Sequence, residues 1–530
     1  MGVMKHSHVE LTRTSQPRGD ARILYASDNN NIGMYILTNH PQDQLTTNLG
    51  GSAHSARELR RHLNDLADNG VDLFAQCVFA KQGASWFTPD HPDHAHRPTG
   101  LDAIDRSVGE PVEIAVDQCH RRRMKFIAKF RMADRHGGTG RGLICDRQDL
   151  WNPDFPGVAA MDYTHDETRN WVFAILDEIL RRFDVDGFEF NYIRNMHTFP
   201  RATVRESHAI MTDFIRRTRR RIDEEGGRRG RDLILGVRVP QTLQECRALG
   251  YDVPTWVRDG LVDYVAPSDF FFTDFNERFE AFAALTRGTP CMLYPTVHPM
   301  LCVGNDTQLA LPQHYRAAVR NIYAAGADGV STFNYMYHWC RRRHAGYPGP
   351  ASGYPTALAW LREMRHTAHF DSLPRHYLFY PIWSGESPSG QSKNDRIALE
   401  RRIGSRGNYR FRIAEDLAAP GAADTPGMLS EMIITASSSA LGDGLTFAVN
   451  GTPVAADDVK ATWLAEGRPA KWGRPLEPCW TYMFPLTSPP AVFGDNRLEV
   501  EVTALDVKAE GHIIIDELEV TVLPPMAPEH

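Results

Sequence analysis

The strongest constraint on this chain is a rhythm: between residues 22 and 364, short β-rich runs alternate with amphipathic helical stretches. That alternation calls for a parallel sheet, because a parallel neighbour is reached only through a crossover long enough to hold a helix. The expected strands cover residues 22–27, 71–79, 125–132, 185–193, 233–239, 262–267, 291–297 and 329–335. Between them, Ser55-x-x-Glu58 reads as a capping box ahead of a Leu59, Leu63 and Leu66 stripe that Gly70 ends. Pro111 suits the first turn of a helix with Val112, Ala115, Val116 and Cys119 on one face. Thr164-x-x-Glu167 reads as a second capping box, before Val172, Ile175, Ile179 and Leu180. Further stripes at Met211, Phe214, Ile215 and Ile222 and at Tyr315, Ala318, Val319 and Ile322, with a last helix over 356–364, complete eight units. Eight strand–helix units predict a (β/α)8 TIM barrel. A doubly wound open sheet is the alternative, and it is disfavoured because no glycine-rich phosphate turn follows the first strand.

At 530 residues the chain exceeds one ordinary core. After about residue 370 helical periodicity stops, and alternating strands are expected at 409–413, 431–436, 445–449, 497–502 and 512–522. Asn450-Gly451 between two apolar runs predicts a hairpin turn, and 418–427 is a Gly/Pro/Ala-rich connection. The expected layout is a polar segment over 1–20, a catalytic barrel over 21–370 and an antiparallel β-sandwich over 371–530. Bracing the barrel is the favoured role for the sandwich, and glycan binding the other.

A formal charge of -7 gives no general case for nucleic acid or an anionic membrane. No apolar run reaches the ~20 residues that span a bilayer. Residues 1–20 lack the apolar core of a secretory signal, so a cytoplasmic protein is expected, secreted only if a leader was removed. The eight cysteines form no CxxC pair and read as reduced, buried thiols. A homo-oligomer is left open.

Catalytic groups in a barrel come from the C-terminal strand ends. In the fourth strand, period-two alternation puts Glu189, Asn191 and Ile193 on one face and Phe188, Phe190 and Tyr192 on the other. The polar face must point into the barrel, and a buried acid there is either functional or paired with a neighbouring strand's arginine. The eighth strand echoes the fourth: Asp328-Gly329 leads to Phe333-Asn334-Tyr335 as Asp186-Gly187 leads to Phe190-Asn191-Tyr192, so Asn334 is expected to face Asn191 across the mouth.

Residues 183–194, with Asp186-Gly187-Phe188-Glu189-Phe190-Asn191-Tyr192-Ile193-Arg194, resemble the "DG-x-x-x-D-Y-I-R" strand of glycosyl-hydrolase-family-10-like (YngK-type) proteins, and bacterial relatives reading "VDGIELDFMR". Residues 119–124 leading into 130–134, and residues 161–165, are similar to the same group. The resemblance implies a TIM-barrel glycoside hydrolase over roughly residues 20–370. This chain has Asn191 where those relatives carry an acid, so the acidic role passes to Glu189.

Glycoside hydrolysis ordinarily uses two carboxyl groups flanking the scissile bond. The seventh strand offers none, whereas the sixth ends in Ser268-Asp269-Phe270-Phe271-Phe272-Thr273-Asp274. A strand-four and strand-six pair resembles α-galactosidase-like barrels. The expected pair is Glu189 with Asp269, Asp274 substituting, and helix capping is the competing role for Asp269. The expected substrate-binding set is Asp28, Arg131, Asp134, Asn191, Arg194, Arg238, His298, Asn334, Tyr335, His338 and Trp339, the last three forming with Tyr337 an aromatic platform with a polar rim. Arginines 131, 194 and 238 fit an anionic sugar, or neutralise the acids. No cofactor or metal is expected. His91, His94 and His96 read as a solvated loop, and the Arg216 to Arg221 run as an outer helix face. The reading is thus a glycoside hydrolase on an oligo- or polysaccharide. A non-catalytic carbohydrate-binding barrel, or a metal-dependent hydrolase or lyase, is the alternative.

Overall fold

A computed structural model describes residues 19–28, 56–97, 101, 104, 106–134, 143–193, 195–303, 306–338, 354–380, 396–418, 429–467, 478–487 and 489–524. Among them, parallel strands β1 (Ile23–Ser27), β2 (Leu73–Ala80), β3 (Lys125–Arg131), β4 (Gly187–Asn191), β5 (Ile234–Val239) and β6 (Tyr264–Pro267) pair in chain order. Strand β7 comes in two pieces, Met292–Leu293 and Thr296–Val297, and β8 is Val330–Phe333. The first piece of β7 pairs with β6 and the second with β8, which pairs with β1, so the ring closes. Pro295 lacks an N–H, and it stands where β7 exchanges one neighbour for the other.

Helices α1 (Ala56–Asp68), α2 (Pro111–Arg121), α3 (Asp166–Arg182), α4 (Val204–Arg229), α5 (Leu243–Ala248), α6 (Val253–Arg258), α7 (Glu280–Thr286), α8 (Pro312–Ala324) and α9 (Ala359–Glu363) surround the strands. The stripes read from sequence are the buried ones: Leu59, Leu63 and Leu66 in α1, and Val172, Ile175 and Ile179 in α3. Pro111 occupies the first turn of α2, inside a capping box of Glu110 and Glu113. The box expected at Thr164 does not form. Its hydroxyl and its N–H both donate to Asp162 Oδ1, leaving His165 at the N-cap of α3. The basic run on α4 is an outer face laced with ion pairs, Arg219 to Asp223 and Asp263 and Arg221 to Asp177.

The inward side chains form a small core of their own: Leu24, Ala26, Leu73, Ala75, Ile127, Tyr264, Ala266, Tyr294 and Phe333. Two glycines make room in it. A Cβ on Gly236 would lie 2.0 Å from the Tyr264 ring, and one on Gly329 2.6 Å from Tyr294. Each tyrosine therefore lies across the neighbouring strand where that strand has no side chain.

The C-terminal part is two antiparallel sheets, built from β9 (Arg375–Phe379), β10 (Ile397–Glu400), β11 (Arg406–Ile413), β12 (Leu429–Ala436), β13 (Gly444–Val449), β14 (Lys460–Leu464), β15 (Cys479–Pro485), β16 (Gly494–Ala504) and β17 (His512–Leu523). One runs β9-β17-β12-β15-β14 with β10 also on β17, and the other runs β11-β16-β13. Asn450 and Gly451, both at positive φ, make the hairpin turn after β13. Strands β9, β10, β14 and β15 had no clear sequence signal; β14, for example, has no buried alternate face. The sheets are tied to the barrel through β9, which packs on α8, and through Arg320 of α8, whose Nε donates to Ala414 O.

Candidate functional site

Two polar layers cross the upper barrel. The deeper one is built around Glu189 on β4, which is wholly buried. Arg238 of β5 grips it from both nitrogens, Nε to Oε1 at 3.0 Å and Nη2 to Oε2 at 3.2 Å. The Tyr264 hydroxyl donates to Oε2 at 2.9 Å, across the gap left by Gly236. The guanidinium spends its other donors on Thr296 Oγ1 (2.6 Å) and Ser331 Oγ (2.8 Å). Five strands thus contribute to one set, in which each charge has a partner.

The upper layer sits at the C-terminal strand ends. Asp28, just past β1, is an ion-pair partner of Arg131 Nε at 3.1 Å and lies 3.8 Å from Lys129 Nζ. Asn191 Nδ2 donates to Asp28 Oδ1 at 2.8 Å, and the Asp28 N–H donates to Asn334 Oδ1 at 2.8 Å. The two asparagines of the echoed strands therefore meet through Asp28. Asn334 sits at φ 53, a conformation asparagine tolerates better than most residues. Arg131 also reaches Asp134 at 3.4 Å. Lys129, not singled out from sequence, lies two residues before Arg131 on the same strand face, so alternation alone points to it. Burial pushes its ammonium down to about 8, with Asp28 and Glu189 pulling the other way. Its Nζ finds no hydrogen-bond acceptor and lies 4.5 Å from the Phe333 ring centroid.

On the β6–β8 side stand Asp269, Ser268 and His298. Asp269 Oδ1 accepts the N–H groups of Phe271 (2.8 Å) and Phe272 (3.0 Å) in a loop turn; it caps no helix, since α7 begins only at Glu280. Its other oxygen, Oδ2, is buried and has no hydrogen-bond partner among the described residues. His298 Nε2 lies 3.3 Å from Ser268 Oγ, and its ring meets Phe333 edge-on at 5.5 Å. Burial lowers the His298 pKa to about 4, against the attraction of Asp269, so the ring is neutral at neutral pH.

Several expectations need correction. Glu189 and Arg238 are locked on each other, the structural alternative, with the carboxylate accepting three bonds and the guanidinium donating four inside the barrel. Asp274 lies further along the loop, where its Oδ1 accepts the Asn276 N–H at 2.8 Å on the side facing the C-terminal sheets. Tyr335 and His338 are not a sugar platform. Past Asn334 the chain turns into a short 3-10 helix, Tyr335–His338, which carries both into the helix layer. There Tyr335 donates to Ala357 O (2.8 Å), and His338 Nε2 shares a 2.6 Å bond with the Tyr315 hydroxyl. Arg194 and Trp339 lie outside the described residues. In the histidine loop, His94 is buried and stacked on Trp171 at 5.0 Å rather than solvated, and burial lowers its pKa to about 4. Among the described residues no group of three or more His, Cys, Asp or Glu is placed to hold a metal ion.

No family model matches this chain, and no curated protein matches it. Distant structural similarity extends to carbohydrate-active enzymes. An α-amylase from Anoxybacillus is 12% identical, over 92% of this chain and 99% of that one, at a TM-score of 0.39. An α-L-fucosidase from a Vibrio species is 10% identical over 96% and 97%, also at 0.39. A Paenibacillus cycloisomaltooligosaccharide glucanotransferase is 11% identical over 94% of this chain at 0.33, and this chain spans 58% of its length.

Proposed function

We propose that this chain is a glycoside hydrolase acting on an oligo- or polysaccharide at the C-terminal mouth of the barrel. Asp269 is the carboxyl group that exchanges a proton with the glycosidic oxygen, and Asp28 is the second carboxylate. The observation that carries the reading is Asp269 Oδ2, a buried carboxylate oxygen without a partner at a strand end. Leaving such a group unmade costs about 1–3 kcal/mol or more, and function is one of the few reasons to keep it. Asp28 supports the reading differently. Arg131 and Lys129 beside it, with the Asn191 amide on Oδ1, fix a negative charge at the mouth. The transition state of glycoside cleavage is oxocarbenium-like and is stabilised by such a charge. His298, neutral and buried, adds a hydrogen-bonding edge, and Phe333 an apolar face. Glu189 becomes the buttress beneath them rather than a reacting group.

The test is a screen of oligo- and polysaccharides with product analysis, followed by Asp269→Asn, Asp28→Asn and Glu189→Gln on any substrate cleaved. Asp269→Asn should lower kcat by roughly 10²–10⁴-fold, the usual worth of a positioned acid or base. Asp28→Asn should lower it too, while Glu189→Gln should cost stability before rate. Wild-type rates in Asp269→Asn would refute the assignment. The Asn191 amide, committed to Asp28 where the sequence relatives keep an acid, favours a second reading: a barrel that binds glycans without turning them over.

A further inference from the structure

A cavity of about 590 Å³ is lined by His197, Arg201, Arg205, His208, Gln244 and Arg247 among others. Its walls are the loop after β4, the first turns of α4, and α5, which follows β5. It therefore opens on the C-terminal face, where barrels bind their ligands.

The cavity's arginines contrast with most of those further along α4, where only Arg217 and Arg220 also lack an acidic partner among the described residues. Further along α4, Arg216, Arg219, Arg221, Arg228 and Arg229 each hold an aspartate or glutamate. Among the described residues, Arg201, Arg205 and Arg247 hold none, and no other hydrogen bond is made by their guanidinium groups. Of the acids around the cavity, Asp154 accepts the Arg201 backbone N–H at 2.6 Å, and Asp252 caps α6 at Thr255. His208 does not supply fixed charge, because burial lowers its pKa, with Arg247 adding to the effect and Asp252 opposing it. His197 is buried against Phe155, at 5.5 Å between rings, and forms a wall. Three guanidinium groups, from the loop after β4, α4 and α5, thus line one space, in a chain whose formal charge is -7. An anion relieves that repulsion and matches the planar fork of each arginine.

We infer that this cleft binds the anionic group of an acidic saccharide, a carboxylate or a sulfate ester, and so selects acidic glycans for the neighbouring mouth. The saccharide identity rests on the glycosidase reading; the anion preference rests on the arginines alone. The probes are an oligogalacturonate, a sulfated oligosaccharide, a neutral cello-oligosaccharide and a short single-stranded oligonucleotide, titrated calorimetrically into the full chain. The same titrations are run on the Arg201→Ala/Arg205→Ala/Arg247→Ala variant and on Asp269→Asn. At least one acidic ligand should bind, more weakly as salt rises, and the triple variant should weaken it at least about 100-fold. Asp269→Asn should retain it. Thermal midpoints equal to the parent's are expected in the triple variant, because all three side chains are exposed. Whichever acidic probe binds tighter names the group. Equal binding of neutral and acidic ligands, undiminished binding by the triple variant, or tighter binding of an oligonucleotide would overturn the inference. Acidic binding without any turnover would count against the glycosidase reading and leave the cleft standing.

Discussion

The two polar layers of the barrel are made of similar residues, yet they are organised in opposite ways. In the deeper layer Glu189, Arg238, Tyr264, Thr296 and Ser331 satisfy one another. In the upper layer Asp269 Oδ2 is left without a partner, and so, between the layers, is Lys129 Nζ. A closed network fixes the positions of the strands that bear it, whereas an open one keeps hydrogen-bonding capacity for something that arrives later. The acid that looked most catalytic in sequence belongs to the first kind, and the acid that looked half like a helix cap belongs to the second.

Four changes would break or sharpen that contrast. The largest effect is expected from Asp269→Asn, which should abolish most turnover while leaving the thermal midpoint within a degree or two of the parent's; a large loss of stability instead would place Asp269 in the structural layer. Arg238→Met should do the reverse. Stranding the Glu189 carboxylate is expected to cost about 3–5 kcal/mol in chemical denaturation, and the Glu189→Gln/Arg238→Met double variant should recover part of it. Gly236→Ala comes next, at about 1–3 kcal/mol, since the added methyl group meets the Tyr264 ring and pushes its hydroxyl off Glu189. The smallest is a pH effect. Burial lowers the His338 pKa from 6.5 to about 3 in the folded chain, so the unfolded chain takes up this proton first as pH falls. Stability should therefore decline from about pH 6.5 toward pH 3, and His338→Gln should flatten that decline in thermal melts at stepped pH.

Much of this was legible in the sequence because side-chain direction follows from alternation. That rule turned Glu189 and Asn191 inward, set out the eight strands and located the helix stripes. It gives direction without partners. That Glu189 would be taken by Arg238 depended on lateral register, in which Glu189, Gly236 and Tyr264 stand side by side on three strands. The one trace of it in the sequence is Gly236, a bare position inside an apolar strand. The misplaced aromatic platform has a different cause. One left-handed residue, Asn334, ends the alternation, and everything extrapolated past it points the wrong way.

The divided seventh strand has a consequence for how the ring comes apart. β3 is joined to β2 by six register pairs, whereas β7 offers two to β6 and two to β8. Thermal breathing should therefore begin at that seam, and its amides should exchange with deuterated solvent before those of β3 and β4. His298 immediately follows β7, and Asp269 lies at the end of the strand beside it. The opening motion of least cost is thus one that loosens the β6–β8 half of the mouth while Asp28 and its cations hold still.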